Sequence, residues 1–425
     1  MFPWSGKSPA KHIDKSFVAE SKAFCIMPWV HFHVTQHGTV TPCCQAPWQA
    51  EHSFGDINQQ SVPEIWDSKA IRAFRKTMIR DEKDNRCERC YIKEDSGWKS
   101  LRQITNEKYL HQLERVQATD RKGRVRDQAP IYLDIRFSNI CNLKCRICGP
   151  WSSSQWFKDA VALGMVDPKS PSLTYATDQE DAFFAQLEAL GPELEEIYFA
   201  GGEPLLMEQH YRLLDLLIEK GYTNLYLQYN TNFSTLKLKE VDVVEKWKHF
   251  RKVGIAASLD GMGPRGEYLR KNLNWEQVVA NRKRLLEEAP NTEFFISPTL
   301  CIFNLLHIPD FHQTWVSEGF LHPEDFYPSL LVQPEPYNIR VLPEAIKAEA
   351  RHKYQDHLKW LEAQTPNRPE RLEECLKMYH NLLLHLDSAD MSGLLPEFRE
   401  RTAKLDKLRQ ESFVEVFPEL AFLIQ

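Results

Sequence analysis

The stretch ICNLKCRICGP, residues 140–150, carries three cysteines, Cys141, Cys145 and Cys148, in a C-x3-C-x2-C spacing, with no fourth. A structural zinc site is four-coordinate, and a cubane cluster held wholly by protein takes four thiolates. Three thiolates on one compact loop therefore leave a coordination position open. The loop follows a strand pattern, IYLDIRF at 131–137. Alternation puts Ile131, Leu133, Ile135 and Phe137 on one face and Tyr132, Asp134, Arg136 and Ser138 on the other. A loop directly after a strand lies at the C-terminal edge of an α/β sheet, where such folds place their chemistry. The spacing suits three irons of a [4Fe–4S] cluster whose fourth iron is open to a small molecule. A structural zinc that borrows its fourth ligand from elsewhere is the other reading.

Five more strand patterns follow: EIYFA (196–200), LYLQYN (225–230), VGIAASL (253–259), EFFISPT (293–299) and YPSLLVQ (327–333). Helical patterns such as EQHYRLLDLLIEKG and NWEQVVANRKRLLEE separate them. Strands alternating with helices predict a parallel sheet, open or closed into a barrel. An ordinary doubly wound sheet is apolar on both faces. Here Asp134 and Arg136 share one face of their strand, and Gly254, Ala256, Ser258 and Asp260 share one side of a later one. That suits a barrel with a wet interior and room for a ligand.

The C-x3-C-x2-C spacing after the first strand resembles the signature of the radical S-adenosylmethionine (SAM) enzymes. Four further segments agree in order. Gly201-Gly202-Glu203-Pro204 follows the second strand, Asn230-Thr231-Asn232 the third and Ser258-Leu259-Asp260 the fourth, and Ile296 to Thr299 lie on the fifth. The resemblance implies that Gly201, Gly202, Glu203 and Pro204 meet the SAM amino group. It implies that Asn230, Asn232, Ser258 and Asp260 help hold its ribose and carboxylate, and that the fifth strand lies near adenine. The residue before the third cysteine is often aromatic in that family, and here it is Ile147.

Of ten cysteines, eight precede residue 150. Cys25, Cys43, Cys87 and Cys90 offer four thiolates, which suit zinc or a fully ligated iron–sulfur cluster. The Cys25-x12-Gly38-x4-Cys43 piece resembles the auxiliary-cluster module called SPASM, or twitch in its one-cluster form. It implies a second [4Fe–4S] cluster. Relatives mostly carry the module after the barrel, and here it comes first. Neighbouring strand residues point oppositely, so Cys43 and Cys44 are not joint ligands, and the glycine spacing favours Cys43. His31 and His33 share one strand face nearby and read as satisfied hairpin residues.

The expected fold is α/β: a partial (β/α)6 radical SAM barrel over 131–335. A small twitch-like iron–sulfur module over 1–118 precedes it, joined by a linker over 119–130. A helical region over 336–425 follows.

Net charge is −6 over 425 residues, which argues against wholesale binding to nucleic acid or an anionic membrane. No run of 18 apolar residues marks a transmembrane helix. The N-terminal stretch shows no apolar signal-peptide core. A cytoplasmic protein is expected, its cysteines serving as ligands or thiols rather than disulfides.

The resemblance implies reductive SAM cleavage and hydrogen-atom abstraction, with flavodoxin or ferredoxin as reductant. Many relatives with this module modify peptides or proteins by oxidation, crosslinking or epimerisation, and that is the first expectation for substrate. Rearrangement of a small molecule or nucleoside is the second, and a two-cluster electron-transfer protein a remote third. Cys301, after the fifth strand, is a candidate hydrogen-atom donor, against the commoner role of a buried structural thiol. Cys375 lies in a helical pattern and reads as core.

Overall fold

The computed structural model describes residues 13–424. The stretch read for a signal peptide begins in residues 1–12, which lie outside the described residues. The described residues fall into two compact units, one running up to Ile135 and including Ala176–Ile197, the other comprising Arg136–Tyr175 and the residues from Tyr198 on.

In the first unit His31–Val34 and Thr39–Thr41 form the expected antiparallel hairpin. Gly38 takes φ +80° in its turn, and a Cβ there would lie 2.4 Å from the Ala176 carbonyl oxygen. Gly55–Asp56 adds a third strand. Ser61 and Glu64 form a capping box at the helix Val62–Trp66. The sequence pattern runs on as one helix to about residue 80. In the structure it breaks at Asp67 and restarts as Lys69–Ile79, because Ser68 supplies a second N-cap to Ile71 N–H. The helical pattern at 97–118 resolves into Leu101–Lys108, a 3-10 turn and Leu113–Gln117.

Sequence reading treats the hairpin and the strand at 131–137 as parts of different domains. In the structure His31–Val34 pairs in parallel with Tyr132–Ile135, His33 opposite Asp134. Leu133, Asp134 and Ile135 are all buried. A strand buried on both faces is a poor open edge, and the hairpin strand covers it. The expected wet face is dry at Asp134. Its Oδ2 lies 3.9 Å from His31 Nε2 and 3.7 Å from His33 Nε2, with both imidazoles buried.

In the second unit Tyr226–Thr231, Lys252–Ala257 and Glu293–Ile296 are parallel neighbours. The predicted helices between strands appear as Glu208–Glu219 and Trp275–Glu288. The strand Glu196–Phe199 begins in the first unit and ends in the second. The sixth strand pattern, 327–333, shrinks to Ser329–Leu330, which pairs with Thr299–Leu300 in a separate two-stranded ladder. Pro298 and Pro328 explain this, since each removes a ladder donor.

The C-terminal region is helical: Glu344–Glu362, Pro369–Leu386 and Leu395–Arg409. Cys375 is buried in the second of these and its thiol donates to the Phe326 carbonyl at 3.1 Å. Among the described residues no helix is long and apolar enough to cross a membrane.

Candidate functional site

The three-cysteine loop is held by its backbone from several directions. Lys144–Cys145 pairs antiparallel with Arg270–Lys271, Arg270 opposite Cys145. Arg146 N–H donates to the Leu269 carbonyl at 2.8 Å. The Trp156 indole donates to the Cys145 carbonyl at 2.8 Å and the Ser153 hydroxyl to the Leu143 carbonyl at 2.6 Å. Cys141 and Cys145 are buried and Cys148 is half-buried. Burial pushes the Cys141 thiol up to about 12. The hydrogen bond between the Cys145 and Cys148 thiols lowers Cys145 and raises Cys148.

The glycine–glycine–glutamate turn docks on the same loop. Glu203 N–H donates to the Ile140 carbonyl at 2.7 Å. Gly202 has φ +54°, and a Cβ there would lie 2.2 Å from the Ile140 oxygen. Gly202→Ala is therefore expected to push the turn off the cysteine loop. Left-handed backbone alone costs roughly 1–2 kcal/mol, and thermal melting beside wild type checks the loss. An unchanged melting temperature would show that the turn absorbs the methyl group.

Glu203 is 1% exposed. Its Oε1 accepts from the Thr231 hydroxyl at 2.7 Å and Leu205 N–H at 3.1 Å, and its Oε2 accepts from Asn232 N–H at 2.7 Å. Burial pushes its carboxyl up to about 6 against these donors. Asn232 also reaches the cysteine loop, donating to Asn142 Oδ1 at 2.9 Å and lying 3.9 Å from Cys141 Sγ. Asn230 is exposed and Ser258 half-buried.

Asp260 is buried and held within the chain by one hydrogen bond to its side chain and one ion pair. Its Oδ1 accepts from Thr299 N–H at 2.8 Å and its Oδ2 lies 2.9 Å from Arg270 Nη2. Arg270 Nη1 reaches Cys145 Sγ at 3.7 Å. Cys301 is fully buried beside this group. Its thiol faces Asn304 Oδ1 at 3.5 Å, and burial raises it to about 12.

The N-terminal cysteines meet in one cavity of the first unit. Cys25, Cys43, Cys87 and Cys90 line it, together with Arg86 and Arg102 among others. Cys44 is not in that lining. Asn106 brackets Cys25, accepting from Ile26 N–H and donating to the Phe24 carbonyl, both at 2.9 Å. Arg102 donates to the same carbonyl at 2.8 Å and forks onto Glu94. Burial pushes Cys25 up to about 12 and raises Cys43 and Cys87 too.

Residues 135–309 match the Radical SAM superfamily model, and residues 25–91 match the SPASM iron–sulfur cluster-binding domain. The chain carries a radical SAM domain. Its SPASM domain precedes the radical SAM domain. No curated protein matches the sequence. Among solved structures the chain is similar to native anSMEcpe with bound AdoMet, at 20% identity and TM-score 0.38, covering 55% of this chain and 60% of that one. It is also similar to Streptococcus suis SuiB bound to precursor peptide SuiA, at 13% identity and TM-score 0.39, covering 70% and 65%. SuiB bound to S-adenosylmethionine gives 13% identity and TM-score 0.40, covering 79% and 70%. The chain thus spans about 60% of the length of anSMEcpe.

Both cysteine sets fit iron–sulfur clusters on their chemistry. Soft thiolates select such metals. In the SPASM domain, burial raises the thiols of Cys25, Cys43 and Cys87, and a bound metal would displace their protons. In the radical SAM domain, Arg270 Nε is buried with no acceptor among the described residues, while Nη1 of the same guanidinium reaches the Cys145 sulfur. A buried cation next to a ligand sulfur suits an anionic cluster.

Sequence reading missed Arg102, Asn106, Arg146 and Arg270. Arg146 lies inside the three-cysteine motif and Arg270 ten residues after Asp260, but a lone arginine carries no spacing signal. The cavity lining makes a sharp prediction in the SPASM domain. Cys43→Ala is expected to lose the domain's iron while Cys44→Ala keeps it. Iron per chain settles the choice, and the reverse pattern would reassign the ligand.

Proposed function

We propose that this radical SAM enzyme cleaves S-adenosylmethionine at a [4Fe–4S] cluster held by Cys141, Cys145 and Cys148. We further propose that it modifies a peptide or protein by oxidation, crosslinking or epimerisation. One observation carries the reading: three thiols on one loop, with the Gly202–Glu203 turn hydrogen-bonded directly to that loop. When bound, the cluster supplies the electron that breaks the sulfonium C–S bond of SAM, giving a 5′-deoxyadenosyl radical that takes a hydrogen atom from substrate.

The chain's own residues bind and orient. Glu203 ties the turn at residues 201–204 to the strand end at Thr231 and Asn232. Gly201 and Gly202 bring backbone close where side chains would collide, and Pro204 opens the short 3-10 turn that follows. Asn230 and Ser258, which retain exposure, are proposed to meet SAM polar groups directly. Asp260 is proposed to act through Arg270. The geometry of Cys301 supports packing rather than hydrogen donation.

The SPASM domain over residues 25–91 supports the peptide reading and a second cluster on Cys25, Cys43, Cys87 and Cys90. A flavodoxin- or ferredoxin-type protein is the proposed electron donor.

The test is anaerobic reconstitution with iron and sulfide, then SAM and dithionite, with 5′-deoxyadenosine read by mass spectrometry. Wild type is expected to form it. The Cys141/Cys145/Cys148→Ala variant is expected to form none, while keeping about four of roughly eight irons. A zinc-filled wild type that leaves SAM intact would sink the reading.

A further inference from the structure

We propose that Arg270, aimed by Asp260, is a positioning residue that sets the reduction potential of the cluster on the three-cysteine loop. The proposal rests on the reading that Cys141, Cys145 and Cys148 hold that cluster.

Backbone pairing carries the first part. Arg270 and Cys145 are directly opposite in an antiparallel ladder, an arrangement that places their side chains together. The guanidinium donates through Nη1 to Cys145 Sγ at 3.7 Å. It is a buried group, only 7% exposed. Asp260 carries the second part. At 1% exposure it holds Nη2 at 2.9 Å, and it is itself fixed from two sides. Thr299 N–H donates to its Oδ1, and the Asn304 amide donates to its backbone carbonyl at 2.9 Å. The chain of contacts thus runs from Asn304 and Thr299 through Asp260 and Arg270 to a cluster-ligand sulfur.

The physics gives a direction. Reduction adds one negative charge to a cluster already ligated by thiolates. A buried cation on a ligand sulfur stabilises the reduced form more than the oxidised one, and low dielectric enlarges the difference. Hydrogen bonds to ligating groups tune a metal centre in the same sense. Asp260 opposes this by its charge while keeping the guanidinium in place. Charge and geometry are therefore separable by mutation. A merely structural ion pair would alter folding or iron uptake and leave the potential of loaded enzyme alone.

The experiment is a redox titration of the reconstituted full chain, followed by electron paramagnetic resonance. The Cys141/Cys145/Cys148→Ala protein identifies the signals of any second cluster. Arg270→Gln is expected to shift the midpoint of the three-cysteine cluster to more negative potential at unchanged iron content. Asp260→Asn, which keeps an acceptor for Thr299, is expected to shift it positive. Arg270→Lys is expected to fall between wild type and Arg270→Gln. If any of these variants loads iron and titrates at the wild-type midpoint, the proposal is overturned. Loss of the cluster in all three also overturns it, making the pair a strut. Where only Arg270→Gln fails to load, the signs of the other two shifts decide. A wild type with no signal beyond that of the triple variant would instead remove the cluster assignment itself.

Discussion

Arg146→Met is expected to destabilise the second unit by about 3–5 kcal/mol, the range for breaking a buried ion pair from one side. Arg146 sits between Cys145 and Cys148 and is 0% exposed. Its Nη2 binds Asp406 Oδ1 and, at 2.7 Å, Glu411 Oε2. Its Nε donates to the Tyr268 carbonyl at 3.2 Å, and its guanidinium lies 3.6 Å from the Tyr268 ring centroid. Methionine fills similar volume, so the expected loss is chiefly electrostatic. Asp406 would keep the Tyr268 hydroxyl and Phe413 N–H, and Glu411 would keep Lys271, but both would lose their buried cation. The carboxylates belong to the end of helix Leu395–Arg409 and the turn after it. The cysteine loop is therefore expected to loosen with the C-terminal helices, and iron content to fall alongside the urea midpoint. Arg146→Lys keeps a charge without the fork and is expected to recover part of the loss. A change in stability below about 1 kcal/mol, the scale of an exposed pair, would show that this anchor contributes little.

Glu203→Ala is expected to cost about 3 kcal/mol or more, since hydrogen bonds to a charged group contribute roughly 1.5–3 kcal/mol each. Three donors lose their acceptor: Leu205 N–H, the Thr231 hydroxyl and Asn232 N–H. Two of them lie on a strand end that also touches Asn142 and Cys141, so SAM affinity is expected to fall with stability. Glu203→Gln separates charge from shape. Burial raises the Glu203 carboxyl to about 6 from an ordinary value of 4.5. The folded chain thus holds this proton more tightly than the unfolded chain does. The contribution is most stabilising below about 4.5 and declines as pH rises through 6, by about 2 kcal/mol in all at about 1.4 kcal/mol per unit. Urea midpoints between pH 4.5 and 7 are expected to fall more steeply for wild type than for Glu203→Gln. Equal slopes would mean that Glu203 ionises freely in the folded enzyme.

The three-cysteine loop was legible as a candidate site because coordination chemistry constrains short spacings. Three thiolates on one loop must lie within a few residues of one another, and Cys141, Cys145 and Cys148 do. The turn at residues 201–204 is similarly local, because Gly201 and Gly202 both need positive φ. Strand order was legible where apolar alternation was uninterrupted and failed at Pro298 and Pro328. The N-terminal cavity lay between these cases. Its cysteine residues were countable, but the choice between Cys43 and Cys44 depended on which thiol the hairpin turns inward.

The electrostatics of the site were not legible in advance. Arg146 meets Asp406 and Glu411 across some 260 residues of chain, and Arg409 meets Asp159 across 250. Asp134 was expected to face a wet lumen, and instead meets two imidazoles on a strand more than 100 residues upstream. What the sequence alone determined was a local pattern: three soft donors on one short loop and a glycine-rich turn to set beside it. Tertiary structure decided which charges stand against those ligands. Local spacing carries coordination because a metal gathers near neighbours. Burial assigns partners to charges only after distant segments have packed, when an unpaired ion has become costly and the nearest opposite charge is the one that the fold supplies.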